Sequence, residues 1–131
     1  MVDITDEEIA AAEERGRIAD DLEPRATAVH YDRTTGLIVL QLKHAAVFSV
    51  PARLLQGLEA ATDDEISEVG IIGRGYGLEW EKLDLHHAVP ALVAGHYGTS
   101  RYMAGLLARG TIRAFGDDTT QLRSQQKRAA S

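Results

Sequence analysis

Apolar and polar positions alternate with two different periods along this chain, and the change of period divides it. Residues 5–19 carry Ile9, Ala12 and Ile18, with Leu22 just beyond, on a background of acids and arginines. Thr5 followed three places on by Glu8 makes a capping box, and Ile4 and Ile9 flank it at staple positions, so a helix is predicted from Thr5. Its apolar stripe is thin. Such a helix belongs on the outside of a domain or against a partner. Pro24 then stops it, because proline cannot continue a helix and pushes the preceding residue into extended geometry.

From residue 26 the period becomes two. The runs 26–31, 37–43 and 46–50 are β-rich, and Asp32-Arg33-Thr34-Thr35-Gly36 and Lys43-His44-Ala45 separate them. They predict a three-stranded antiparallel meander. In the middle run Ile38, Leu40 and Leu42 alternate with Val39, Gln41 and Lys43, so one face must be covered. Pro51 at the head of PARLLQGLEAA predicts a covering helix that presents Leu54, Leu55 and Leu58. Thr62 and Glu65 form a second capping box, which starts a short helical turn. Residues 69–72 and 77–80 then read as a hairpin around Gly73-Arg74-Gly75-Tyr76-Gly77. Two short helices are expected over 89–94 and 100–108, stopped by Gly95 and Gly110. The pattern amounts to an α+β fold: a small antiparallel sheet of meander plus hairpin, short helices packed on it, and an N-terminal helix. Residues 1–22 form that helix, 23–115 a single domain, and 116–131 a flexible tail nearly free of large apolar groups.

Composition narrows the chemistry. Cysteine is absent from the 131 residues, so no disulfide, thiolate nucleophile or thiolate metal site is available. Acids occupy the N-terminus where a secretory signal would be basic and then apolar, and no stretch approaches the roughly 18 apolar residues of a membrane span. The expected location is cytoplasmic. A net charge of −6 disfavours nucleic-acid binding by the whole surface. The basic residues Arg101, Arg109, Arg113, Arg123, Lys127 and Arg128 gather in the last third, but with loose spacing and little aromatic interleaving.

Four constellations invite function. Gly73-x-Gly75-x-Gly77 lacks the sixth-position glycine and following helix of a dinucleotide loop, and lacks a Walker Lys-Ser/Thr, so it reads as hairpin geometry. Asp84, His86, His87 and His96 contain metal-binding types, but neighbouring histidines on a strand point to opposite faces and do not share an ion. Asp84 with Glu79 and Glu81 lies in a solvated stretch without the contrasting environments of an acid–base pair, and Asp84 is expected to cap the bend into the next helix. No serine elbow is present. Trp80 shares a strand face with Leu78 and is expected in the core, its N–H toward a polar rim. No catalytic residue, metal or cofactor is predicted. The candidate contact residues are Arg74 and Tyr76 at the hairpin, Trp80, Asp84, His86 and His87 after it, and Ile9 and Ile18 on the first helix.

The segments PRATAVHYDRTTGLIVLQL, VPARLLQGLEAAT, GRGYGLEWEKLDLHHAVPALVAGHYG and TSRYMA, over residues 24–104, resemble the domain of unknown function 2442 family of small bacterial proteins. The resemblance implies an α+β fold with a small antiparallel sheet. Through gene context it also implies a role in toxin- and antitoxin-like protein pairs or in transcriptional control. The expected function is therefore a non-enzymatic module that binds a protein partner or itself, with a nucleic-acid-regulating assembly as the alternative.

Overall fold

The computed structural model describes residues 5–114. Helix α1 (Asp6–Leu22) opens the chain with its capping box formed: the Thr5 hydroxyl accepts the Glu8 N–H, and the Glu8 carboxylate accepts the Thr5 N–H. Asp6, Glu7 and Glu8 add negative charge where the helix dipole favours it. The helix ends at Leu22, as expected, and Glu23 turns extended before Pro24.

Strands β1 (Ala26–Asp32), β2 (Leu37–Leu42) and β3 (Val47–Pro51) form the expected antiparallel meander in the order β1-β2-β3. Asp32 sets its first turn, because the carboxylate accepts the N–H groups of Thr34 and Thr35. These bonds, with one from the Thr35 side chain, hold its pKa below the ordinary carboxylate value. Tyr31 pairs with Ile38 and Val29 with Leu40, and Ile38 and Leu40 are wholly buried. Between β2 and β3 the chain makes a single tight turn in which both His44 and Ala45 take left-handed backbone.

The second half of the sheet structure differs from expectation in two ways. Strands β4 (Gly70–Ile72) and β5 (Gly77–Trp80) form the hairpin, but as a separate sheet, and a third strand, β6 (Leu85–Ala88), completes it in the order β4-β5-β6. Asp84 explains the extra strand: at φ 50° it reverses the chain after the turn Glu81–Leu83 and lays Leu85 opposite Trp80. Gly75 explains how the sheets meet. At φ 91° it lets the hairpin turn approach β1 so closely that a Cβ there would lie 2.5 Å from the Ala26 carbonyl oxygen. Beside it the Arg25 guanidinium stacks over the Tyr76 ring at 4.3 Å and donates to its hydroxyl.

The helix expected over 51–61 is not formed; only Ala52–Leu54 makes a turn. Leu55 returns to extended backbone, and Gly57 at φ 96° passes so near Leu85 that a Cβ would sit 2.7 Å from its side chain. The leucines reach the core without a helix, and Leu55 and Leu58 are fully buried. Helix α2 (Asp63–Ser67) starts at the Thr62–Glu65 capping box, and α3 (Val89–Val93) and α4 (Ser100–Ala108) follow where the sequence put them. Ile38, Leu40, Leu55, Leu58, Ile66, Leu78, Trp80 and Leu92 join both sheets in one core. At about 1.5–3 kcal/mol for each large side chain removed from water, this cluster is the main stabilising element. Ile4 and the expected tail over 116–131 lie outside the described residues.

Candidate protein-interaction surface

The hairpin candidates are mostly committed to the fold. Trp80 is 1% exposed, and its indole N–H donates to the Ile66 carbonyl 3.0 Å away, so it is a core plug with its polar end satisfied by backbone. The N–H therefore turns inward to α2 rather than to a polar rim. Tyr76 is half-buried under Arg25. Arg74 stands exposed at the tip, in left-handed backbone. Asp84 acts through that same conformation and does not cap the following helix: α3 begins at Val89, and its N-cap is Ala88, which supplies no side-chain bond.

The two neighbouring histidines are held by different partners. In the β5–β6 register His86 faces Glu79, and its Nε2 lies 3.1 Å from the carboxylate. His87 Nε2 lies 2.9 Å from the Gln56 carbonyl, and its ring meets the Trp80 ring edge-on. A carboxylate and a carbonyl can only accept, so Nε2 carries the proton in both rings. His86, His87 and His96 all border one open cleft of about 490 Å³ that also includes Gln56, Gly57, Leu85 and Thr99. Among the described residues no three His, Asp or Glu side chains gather as a group able to hold a metal.

Gln56 organises that cleft and carried no signal in the sequence. Its backbone N–H donates to the Tyr97 carbonyl, its carbonyl receives His87, and its side-chain oxygen accepts the Thr99 N–H. Across the first sheet Arg53 plays a similar part. It donates to the Ala61 carbonyl at 2.7 Å and pairs with Asp63, whose carboxylate also accepts the Tyr31 hydroxyl. The bond to Asp63 is the main reason the Tyr31 phenol titrates above its ordinary value. These are structural ties.

Helix α1 presents the opposite picture. Ile9 is 43%, Ile18 48% and Leu22 75% exposed, and none of the described side chains of α1 joins the core. Its backbone touches the body of the protein through the Asp21 carbonyl, 3.4 Å from His44 Nε2. Ile18 and Leu22, four apart, share one stripe with Ala11, while Ile9 lies half a turn round. A second apolar exposure flanks α4, where Leu107 stands 46% exposed. Leu107 is not among the candidate contact residues of the sequence; it lies about 100° round the helix from the buried Leu106.

The family model described as "Protein of unknown function (DUF2442)" matches residues 26–98, more than half of the chain. The chain belongs to the DUF2442 family. Its matched segment begins with β1 and ends after α3, so the two sheets are the family portion and α1 and α4 flank it. A crystal structure of a protein of unknown function from Rhodospirillum rubrum is 46% identical and superposes with a TM-score of 0.60, over 62% of this chain and 98% of that one. The solution structure of an uncharacterised protein from Chromobacterium violaceum, 24% identical, shares the fold at a TM-score of 0.59 over 80% of this DUF2442 chain and 95% of its own. No curated protein matches. No helix among the described residues is long and apolar enough to cross a membrane.

Proposed function

We propose that this DUF2442 protein is a non-enzymatic, cytoplasmic protein-interaction module, one member of a two-protein, toxin- and antitoxin-like pair, and that α1 is its contact element. The observation that carries this reading is the exposure of every described side chain on a 17-residue helix. Most helical stability in proteins comes from packing one face against another surface. Every described side chain of α1 stays exposed, so a partner's surface is what would complete it. The acids of α1 suit a basic partner, steering encounter, while Ile18 and Leu22 supply the area that persists at high salt.

A nucleic-acid-regulating assembly is the second reading. It is favoured by residues 89–114, which hold Arg101, Arg109 and Arg113 and no acidic residue. Co-purification of the native complex from the source cell, with the full chain and with a chain lacking residues 1–22, tests both. A defined protein recovered in fixed ratio with the full chain and lost with the truncated one is the expected result. Bound nucleic acid retained by both would favour the second reading instead.

A further inference from the structure

Strand β6 closes the second sheet on one side only. Its neighbour is β5, and the order β4-β5-β6 leaves its other edge without a strand. The Val89 N–H donates to the Tyr76 carbonyl at 2.7 Å and so points into the sheet. Across a trans peptide the carbonyl lies opposite the following N–H, so the Ala88 carbonyl points out of it. Backbone groups alternate along a strand. The N–H and C=O of both His86 and Ala88 therefore face the open edge, while those of Leu85 and His87 face β5. Among the described residues no hydrogen bond reaches these four groups.

The β6 edge also lacks the devices that usually blunt a free edge, which are lysine, proline or a bulge. The free edge of the first sheet, β3, ends in Pro51, and β1 shifts register between Ala26 and Ala28. By contrast β6 is Leu-His-His-Ala in unbroken register, and only its length of four residues limits pairing. It runs along the cleft of about 490 Å³ whose other wall is Gln56, Gly57, Gly98 and Thr99. That wall is fixed: the His87 ring donates to the Gln56 carbonyl, the Gln56 N–H to the Tyr97 carbonyl, and the Thr99 N–H to the Gln56 side chain. The volume lies within the roughly 300–1,000 Å³ of ligand clefts.

We infer that the β6 edge accepts an extended peptide segment of a partner protein as a fourth strand of the second sheet. The inference does not rest on the reading of α1. Two N–H and two C=O groups stand on one line, two residues or roughly 7 Å apart. The backbone of another extended chain carries the same groups at the same spacing and meets them with donors against acceptors. The cleft favours a lone peptide over a second copy. In a second copy β6 is bordered by its own wall of residues 56–57 and 98–99, so pairing edge to edge would bring the two walls onto each other. A single extended segment carries no such wall. Because backbone groups make the contact, the segment is selected mainly for being extended, and its side chains are read only where they meet His86 and the wall of the cleft.

Ala88→Pro tests the inference without touching the ladder. The ring removes only the outward N–H, and Ala88 already sits at φ −81°, close to the value that proline fixes. The probe is a displayed library of random peptides of about six residues, the usual strand length, selected on the full chain. Binders should slow hydrogen exchange at the His86 and Ala88 N–H groups. Ala88→Pro should lower their affinity about tenfold or more with the thermal midpoint unchanged, since it removes a backbone bond and places a ring in the path of the strand. If the proline variant melts early, the wild-type chain decides instead: N-methylation of a binder at every second residue should weaken it about tenfold or more in one of the two registers and little in the other. A library without binders would overturn the inference, as would binders that ignore both the proline and the N-methyl groups or that leave both amides exchanging freely. Protection of both amides that rises with protein concentration in the absence of peptide would overturn it too, by giving the edge to a second copy.

Discussion

Helices α1 and α4 are made by the same local signals and end in opposite environments. Both start at a threonine whose hydroxyl accepts an N–H of the first turn, Thr5 for α1 and Thr99 for α4. The longer and better capped of the two, α1, buries none of its described side chains. Helix α4 has nine residues, yet it buries Leu106 and anchors Tyr102, whose hydroxyl donates to the Leu54 carbonyl at 2.6 Å. Burial is the first cause holding the Tyr102 phenol above its ordinary pKa. Capping decides that a helix forms; the distribution of apolar residues around it decides whether the fold needs it. By that criterion the structure divides into a core that includes both sheets and a helix whose described side chains stay outside it.

The sharpest contrast is between large apolar residues in the two regions. Trp80→Ala is expected to cost about 3–5 kcal/mol, a large share of the roughly 5–15 kcal/mol that holds a domain folded, since it leaves a cavity and an unpaired Ile66 carbonyl. Leu22→Ala should fall within about 0.5 kcal/mol of wild type. Urea unfolding of the two variants measures both. Equal losses would mean that α1 is part of the cooperative unit.

Gly75→Ala should come next, at about 1–3 kcal/mol or more, because it strains a left-handed backbone and drives a methyl into the Ala26 carbonyl where the two sheets meet. A thermal melt checks it, and an unchanged midpoint would show that the sheets do not depend on this approach. The two capping boxes give a finer comparison. Thr62→Ala should destabilise the whole domain by about 1 kcal/mol, because α2 carries the buried Ile66. Thr5→Ala should reduce helical circular dichroism while leaving the tryptophan-monitored transition in place.

Acid titration yields the smallest effect and separates the regions again. Asp32 and Glu65 sit below their ordinary values of 3.8 and 4.5, Asp32 chiefly through its bond with the Thr35 side chain and Glu65 through those with Thr62. Each lowered carboxylate stabilises the fold above its unfolded pKa and loses that contribution as pH falls through its folded pKa. The domain should therefore weaken as pH drops below about 4, and Asp32→Asn with Glu65→Gln should flatten that slope. Stability of the double variant that still falls as steeply there would assign the acid loss to other groups.

The sequence showed the first sheet clearly because Ile38, Leu40 and Leu42 recur at every second place in a β-rich run and Asp32 to Gly36 spell a turn. It showed α1 and α2 through Thr5–Glu8 and Thr62–Glu65. It missed β6 because Leu-His-His-Ala has no β-branched residue; that strand is created by a left-handed Asp84 and by His87 reaching Gln56, neither visible locally. It mistook residues 51–61 for a helix because Leu54, Leu55 and Leu58 have helical spacing, while the contact between Gly57 and Leu85 is set by the tertiary fold. For the candidate surface, the thin stripe of α1 was legible and the cleft ordered by Gln56 was not, because Gln56, His87 and Thr99 come together from separate segments of the chain.

Removal of residues 1–22 tests the central claim most directly. The truncated chain should give the same cooperative thermal transition as the full chain, followed by circular dichroism and by Trp80 fluorescence, and should lose the protein contact that the full chain makes. A truncated chain that is unfolded, or that keeps its contact undiminished, would contradict the account: the first would place α1 in the core, and the second would move the interaction elsewhere.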